Sequence, residues 1–214
     1  MKKIKVCILA MAFVFCFQTS AGIVPETAQV QAASKKKSGL VKEKKKYFYY
    51  KKGKKVKNKW VNVKTKGKTQ RYYFGKNGAA CTGVKKIKGN IYCFNAKAQM
   101  QKSCWYQKKY YLGKEGKAYT GIWAVDGKLY AFGVDGKKDT GKTDLLQKCS
   151  GQGTDVAELK KLIGEPDSAD YMASCMTWEG QSGDDGILAY RNFTVYTFRY
   201  GEKEIVWHVT GNRD

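Results

Sequence analysis

Aromatic side chains recur at regular intervals through the middle of this 214-residue chain. An aromatic cluster, a Gly-type turn and a Thr-Gly step return about every twenty residues, with turns at Gly78, Ala98, Gly116 and Gly136. Flat aromatic rings can stack on sugars and attract cationic head groups to their negative faces. The candidate ligand-binding residues, for carbohydrate or a quaternary ammonium group, are Tyr72, Phe74, Tyr92, Phe94, Trp105, Tyr110, Tyr111, Trp123, Tyr130 and Phe132.

The element expected to hold these rings is a β-hairpin. Residues 70–74 and 128–132 have the aromatic enrichment of strands, and the Asn77-Gly78 and Asp135-Gly136 pairs suit tight hairpin turns. A weaker copy lies at residues 47–53. Because a lone hairpin is marginal in water, the repeats are expected to stack their aromatic faces on one another. The period therefore predicts a mainly β fold, a hairpin solenoid.

These repeats resemble the cell-wall-binding repeats of choline-binding proteins, glucan-binding proteins and the binding regions of large clostridial toxins. The resemblance covers roughly residues 45–142, and it is carried by residues 70–83, 109–121 and 120–132, in which pattern and period recur together. It implies a secreted Gram-positive protein whose solenoid binds cell-wall polysaccharide, glucan or teichoic acid.

The tryptophans depart from the choline-binding pattern. Trp105 and Trp123 lie one residue later than the tryptophan that follows the repeat glycine in that family. Since side chains alternate between faces along a strand, the shift turns these rings to the other face or requires a bulge. The aromatic position that opens each cluster is also replaced, by Arg71, Ile91, Lys109 or Leu129. These departures predict that a regular choline cage does not form, and that usable grooves lie around Trp105–Tyr111 and Trp123–Phe132.

Charge divides the chain into two parts. The formal net charge is +23, yet residues 34–142 hold 31 lysines and arginines against 5 acidic residues, whereas residues 143–214 hold 7 against 12. A polycationic surface attracts polyanions such as teichoic acid phosphates, acidic glycans or nucleic acid. We therefore predict a domain boundary near residue 143, between repeats at 47–142 and a small domain at 143–214.

The first 33 residues are typical of a secretory signal peptide. Residues 1–5 are basic, residues 6–17 are apolar but too short to span a bilayer, and small residues follow. An uncleaved anchor is the alternative. Residues 34–46 are rich in lysine and are predicted to form a flexible basic linker. The expected location is extracellular and associated with the cell wall, with no transmembrane segment after signal removal.

The C-terminal part predicts a small α+β domain, with one helix on an antiparallel three-stranded sheet. Asp155 and Glu158 form a capping pair, an apolar stripe follows, and Gly164 and Pro166 end the helix near residue 163. A loop is predicted to contain residues 180–186. The predicted strands are 187–190, 193–200 and 204–210.

Five cysteines lie beyond the signal peptide. Cys149 and Cys175 flank the predicted helix, and a disulfide between them would strengthen a thin core, with free thiols as the alternative. Cys81, Cys93 and Cys104 have no assigned pairing.

The C-terminal domain resembles a module of secreted Firmicutes proteins, through residues 163–166, 174–175 and 193–197. That resemblance implies an interaction role, with a protein partner. His208 is the only histidine in the chain, so metal sites built on several histidines are excluded by count. The sequence predicts no cofactor, no metal site and no catalytic residues. Its predicted function is non-catalytic attachment to the bacterial surface; the alternative is a secreted hydrolase, with Cys175 and His208 as nucleophile and base.

Overall fold

The computed structural model describes residues 36–65 and 67–211. Within that range, hairpins follow one another from residue 39 to residue 139, and we call them units 1 to 5. Unit 1 is β1 (Gly39–Glu43), β2 (Lys46–Lys51) and β3 (Lys54–Lys55); unit 2 is β4 (Lys59–Thr65) and β5 (Lys68–Phe74); unit 3 is β6 (Gly83–Ile87) and β7 (Asn90–Phe94); unit 4 is β8 (Cys104–Tyr106) and β9 (Tyr110–Leu112); unit 5 is β10 (Gly121–Val125), β11 (Lys128–Phe132) and β12 (Lys138–Asp139). The predicted mainly β fold with hairpin repeats is confirmed. The predicted signal peptide lies outside the described residues.

The repeat turns form, but they do not join the long strands of each hairpin. Their backbone φ is positive, at 77° for Gly78, 59° for Ala98, 78° for Gly116 and 72° for Gly136. An earlier turn, such as Asp126-Gly127 in unit 5, joins the two long strands. The later turn returns the chain as a short third strand, which in units 2 to 4 is a single bridge: Phe74 to Ala80, Phe94 to Met100 and Leu112 to Ala118. The sequence prediction is wrong about which turn closes the hairpin, because in units 2 and 5 both turns carry glycine after a polar residue.

One backbone hydrogen bond recurs at every interface between neighbouring units. A backbone N–H of each third strand donates to a backbone carbonyl in the second strand of the preceding unit. Between units 4 and 5 the acceptor is Lys109, the residue just before that strand. The donor and acceptor pairs are Ala80 with Tyr47 (2.8 Å), Met100 with Arg71 (2.9 Å), Ala118 with Ile91 (2.8 Å) and Lys138 with Lys109 (2.7 Å). The units therefore stack in one repeating way, as the sequence period predicts.

The segment predicted to be a flexible linker, 34–46, contains strand β1 and the start of β2. Leu40 packs against the buried cluster of Tyr72, Phe74 and Ala98. The Glu43 carboxylate accepts hydrogen bonds from the Lys37 ammonium (2.7 Å) and the Tyr50 hydroxyl (2.6 Å). The prediction is wrong for the described part of this segment, because its few apolar residues are enough to join it to unit 2.

The C-terminal part has more regular structure than predicted. It contains α1 (Thr140–Cys149), α2 (Val156–Ile163) and four antiparallel strands in the order β13 (Ser168–Trp178), β14 (Gln181–Tyr190), β15 (Phe193–Tyr200) and β16 (Lys203–Gly211). Helix α2 and strand β15 confirm the predicted elements. Helix α1 and strand β13 were not predicted, and residues 181–186 belong to β14 instead of a loop. Neither helix in the described part of the chain is long and apolar enough to cross a membrane.

The larger of two hydrophobic clusters in this module extends into unit 5. Leu146 of α1, Leu159 of α2 and Leu188 of β14 are buried in the same cluster as Leu129 of β11. The Thr143 hydroxyl accepts a hydrogen bond from the Ala131 N–H at 3.1 Å. The domain boundary near residue 143 remains a prediction, and side chains from both sides of it share this core.

The predicted disulfide between Cys149 and Cys175 is not formed, and both residues are free thiols. Cys149 ends α1 and packs against the module core, whereas Cys175 is exposed on the edge strand β13. The prediction rested only on the positions of the two cysteines on either side of helix α2. Cys175 lies in the irregular part of β13, between the paired residues Ala173 and Thr177, and its side chain is exposed. Cys81, Cys93 and Cys104 are also free thiols.

Candidate functional site

Two aromatic clusters lie at alternate interfaces of the stacked units. The first aromatic cluster, between units 2 and 3, consists of Trp60, Tyr73, Tyr92 and Phe94. The second aromatic cluster, between units 4 and 5, consists of Trp105, Tyr111, Tyr130 and Phe132. In each cluster the tryptophan and one tyrosine come from one unit, and the other two rings come from the next.

Strand register brings these rings together. Trp60 lies directly opposite Tyr73 in the pairing of β4 with β5, and Trp105 lies opposite Tyr111 in the pairing of β8 with β9. Residues that are directly opposite in an antiparallel pair share a face of the sheet. The displaced tryptophan therefore joins a tyrosine of its own unit and meets the rings of the following unit.

The two clusters have nearly the same geometry. From the tryptophan ring centroid, the tyrosine of the same unit is 5.1 Å away in the first cluster and 5.3 Å in the second. The tyrosine of the next unit is 4.9 Å away in both, and the phenylalanine is 5.9 Å away in both. These centroid distances mean that the rings contact each other, and the interplanar angles range from 27° to 73°. Each cluster therefore presents ring surface at its margin and does not enclose a cation among its rings.

Different side chains flank the two clusters. The Arg71 guanidinium lies 4.5 Å from the Trp60 ring centroid, and buried Met100 packs on the first cluster. At the second cluster, Lys108 and Lys138 line a shallow cavity of about 230 Å³ together with Trp105 and Tyr130.

A second groove adjoins the second aromatic cluster. The rings of Tyr119 and Trp123 stack at 3.7 Å with an interplanar angle of 9°. The Trp123 indole N–H donates to the Thr120 carbonyl at 2.9 Å, which fixes the ring on the groove wall. The groove has a volume of about 360 Å³ and is lined by Asn90, Gly113, Lys114, Glu115, Lys117, Ala118, Tyr119, Thr120 and Trp123. A flat ring pair beside amide and charged groups suits a sugar, which offers both C–H faces and hydroxyls.

The structure separates the predicted site residues into accessible and buried groups. Tyr72, Phe74 and Tyr110 are buried in unit interfaces that lie outside both aromatic clusters. Tyr92, Phe94 and Phe132 belong to the clusters, but they are at most 9% exposed. The half-buried residues that remain are Trp105, Tyr111, Trp123 and Tyr130.

Sequence reasoning missed Trp60, Tyr73 and Tyr119. Trp60 and Tyr73 belong to the first aromatic cluster, and Tyr119 supports Trp123. Asn58 lies two residues before Trp60 and has a positive φ of 49°. Gly121 holds the equivalent position, two residues before Trp123. An asparagine in that place was a usable signal, because asparagine tolerates this backbone conformation better than most residues.

The structure does not bring Cys175 and His208 together. They lie on β13 and β16, the two edge strands of a four-stranded sheet. Strands are spaced by about 4.8 Å, so three spacings keep these residues at least about 14 Å apart. His208 instead stacks on Tyr196, with ring centroids 4.4 Å apart. The residues that the structure describes contain no cluster of acidic, histidine and cysteine side chains that could hold a metal ion.

No protein-family model matches this sequence, and no curated protein matches it. Solved structures do resemble it. The modular autolysin LytC from Streptococcus pneumoniae is 21% identical, covers 48% of this chain and 27% of its own, and has a TM-score of 0.37. Choline binding protein F from the same species, in the presence of a peptidoglycan analogue, is 21% identical, covers 69% of this chain and 44% of its own, and has a TM-score of 0.40.

The choline-binding domain of CbpL from Streptococcus pneumoniae is 26% identical, with a TM-score of 0.39, and covers 48% of this chain and 56% of its own. This chain thus spans less than two thirds of the length of each of these proteins. The second and third of these proteins are described as choline-binding, and choline-binding proteins are the first of the families that the repeat sequence resembles.

Proposed function

We propose that this protein is a secreted, non-catalytic cell-wall-binding protein. Its stacked units bind cell-wall polysaccharide, glucan or teichoic acid, and they hold the C-terminal module at the bacterial surface. The module then acts on the outside of the cell, through a protein partner.

The observation that carries this proposal is the aromatic surface between units 4 and 5. The second aromatic cluster and the groove beside Trp123 place several half-buried rings within a short stretch of the stack. Half-buried rings next to polar groups are the usual means by which proteins hold sugars weakly and reversibly. Because a wall polymer repeats, several weak contacts along the stack add up to firm attachment.

The lysines of the units provide the second source of attraction. Residues 34–142 hold 31 basic against 5 acidic residues. A surface of this charge concentrates polyanions around the protein, and the effect weakens as salt screens it. Ring contacts are much less sensitive to salt, so the two contributions can be separated by experiment.

The test is sedimentation of the full chain with purified Gram-positive walls and with insoluble glucan, each at low and high salt. We expect binding to intact walls, with a fraction that persists at high salt. Trp123→Ala should weaken the persistent fraction about tenfold, which corresponds to about 1.4 kcal/mol. Trp207→Ala, which removes a half-buried tryptophan from the module, is the matched control and should leave binding unchanged.

Full-length protein that stays in solution with every wall and glucan, at either salt concentration, would contradict the proposal. Release of soluble sugar or peptide from the walls by the wild-type chain would support the alternative, a hydrolase that the repeats direct to its substrate.

A further inference from the structure

The first and second aromatic clusters are the same arrangement of rings at two places in the stack. Their centroid distances agree within 0.2 Å. The backbone around them is equivalent too, since Met100 donates to the Arg71 carbonyl where Lys138 donates to the Lys109 carbonyl. Any difference in what the clusters bind must therefore come from the side chains around the rings.

At the first aromatic cluster those side chains close the site. The Arg71 guanidinium, 4.5 Å from the Trp60 centroid, occupies the position at which a ligand cation would meet that ring. Met100 is 9% exposed and fills the space beside Tyr92 and Phe94. A ligand would have to displace both side chains, so this cluster serves as packing between units 2 and 3.

At the second aromatic cluster the equivalent of Met100 is Lys138, and the site is open. Lys138 and Lys108 face a cavity whose other walls are Trp105 and Tyr130. Two ammonium groups beside the rings repel a quaternary ammonium ion and attract an anion. The rings still provide an apolar surface for the uncharged part of a ligand.

We propose that the cavity bounded by Trp105, Lys108, Tyr130 and Lys138 binds one unit of an anionic carbohydrate chain. A sugar or polyol lies against the two rings, and its phosphate or carboxylate lies between the two lysines. The cavity, about 230 Å³, is smaller than the roughly 300 Å³ at which sites for whole drug-sized molecules begin, and this favours a single unit of a polymer. This inference rests on the proposed function and adds the charge of the ligand to it.

The test measures binding of soluble polymers to the full chain by calorimetry at physiological salt. The probes are poly(glycerol phosphate), polyglucuronate, neutral dextran, choline chloride and a single-stranded oligonucleotide. We expect an anionic polymer to bind, with the first two probes showing whether phosphate or carboxylate is preferred. The K108Q/K138Q variant should lose at least tenfold in affinity for that polymer. The K86Q/K88Q variant carries the same net charge, with both changes on exposed residues of unit 3, and should change less than twofold.

Distinct results overturn the inference. Equal losses in the two double variants would show that total charge, and not this cavity, attracts the polymer. Tight binding of choline, or of dextran with no effect of K108Q/K138Q, would also overturn it while leaving the wall-binding function intact. If a single-stranded oligonucleotide bound as tightly as the best glycan, the cavity would bind polyanions in general and not carbohydrate in particular. Failure to bind walls at all would remove the proposed function itself.

Discussion

The stacked units and the C-terminal module bury their side chains in different ways. Between units, the buried residues form separate small clusters, such as Tyr72 with Phe74 and Ala98, or Ile91 with Cys93 and Leu112. In the module, two helices and the sheet share one large cluster, which reaches into unit 5, and a smaller cluster of Phe198, Tyr200 and Ile205 lies elsewhere in the sheet. Each small cluster involves two or three neighbouring units, whereas the main module core draws on both helices and the sheet.

This difference explains why the candidate binding rings lie in the units. Units only three strands wide bury some of their aromatic rings, such as Phe74 and Phe94, but leave others at their boundaries half-buried, such as Trp105 and Trp123. The module has two helices to cover one face of its sheet, and Leu188, Val195 and Val206 there are fully buried. The units thus hold the candidate binding surface, and the module packs onto the end of the stack.

Leu188→Ala should destabilise the module but not units 1 to 3, and it should have the largest effect of the predicted changes. Leu188 is fully buried in the module core, so the change should lower the free energy of unfolding of the module by about 2–5 kcal/mol. Hydrogen exchange should show faster opening of α1, α2 and unit 5 together, with units 1 to 3 little changed. Val134→Ala, at a side chain that is 96% exposed, should change neither region. Equal loss of protection in units 1 to 3 would mean that the two regions unfold as one.

Gly116→Ala should act locally, on the stack. The added Cβ would lie 2.7 Å from the Met100 Cε and 2.8 Å from the Gln101 carbonyl oxygen, at a φ of +78°. We expect about 2 kcal/mol of destabilisation, confined to units 3 and 4 in hydrogen exchange. Gly121→Ala is the control, because its φ is +81° but the new Cβ meets nothing within 4 Å. Gly121→Ala should lose about half as much stability as Gly116→Ala. Equal losses of stability in the two variants would assign the whole effect to backbone conformation.

Asp155→Ala should have a smaller effect, within the module. The Asp155 carboxylate caps α2 by accepting a hydrogen bond from the Ala157 N–H at 2.8 Å. Loss of this cap should lower the free energy of unfolding by about 1 kcal/mol, measured by urea denaturation. Asp155→Asn keeps an acceptor and should retain most of the stability. If the asparagine variant were as unstable as the alanine variant, the charge would matter more than the cap.

The smallest expected effect is the pH dependence of unit 1. Hydrogen bonds from Lys37, Tyr50 and Lys55 lower the pKa of Glu43 from 4.5 to about 2. Because the folded-state pKa is lowered, these contacts stabilise unit 1 fully above pH 4.5, and the benefit is lost as the pH falls toward 2. Carboxyl NMR titration should find the low pKa, and amide exchange in unit 1 should accelerate over that range. A Glu43→Gln variant should lack this pH dependence, and an ordinary pKa for Glu43 would contradict the ion-pair geometry.

The twenty-residue period correctly predicted the stacked units. The prediction failed where a repeat motif coincides with the start of a helix. Thr140-Gly141 matches the Thr-Gly step of the repeat, yet it begins α1, because the Asp139 carboxylate accepts from the Lys142 N–H at 3.0 Å and caps a helix there. Strand β13 has no clear alternation of apolar residues, and only its pairing with β14 makes it a strand. Helix α2 has both a cap and an apolar stripe, so its prediction succeeded.

The candidate site was only partly predictable, for a related reason. The sequence indicates which residues are aromatic, but accessibility depends on which face of which interface each ring occupies. Tyr72 and Tyr73 are neighbours in the chain, and alternation along β5 places the first in a buried interface and the second in the first aromatic cluster. Whether Met100 or Lys138 covers a cluster is set by the stacking of units, which the spacing alone does not show.

The alternation of interfaces has a consequence for protein engineering. Tryptophan-containing clusters occur between units 2 and 3 and between units 4 and 5, while the interfaces between units 1 and 2 and between units 3 and 4 are packed differently. The smallest piece that can be duplicated without creating a mismatched junction is therefore a pair of units. Copies of units 4 and 5 inserted ahead of the originals would raise the valence of the array by one open site per copy. An odd number of added units would bring two non-complementary unit surfaces together, and the stack would be interrupted at that junction.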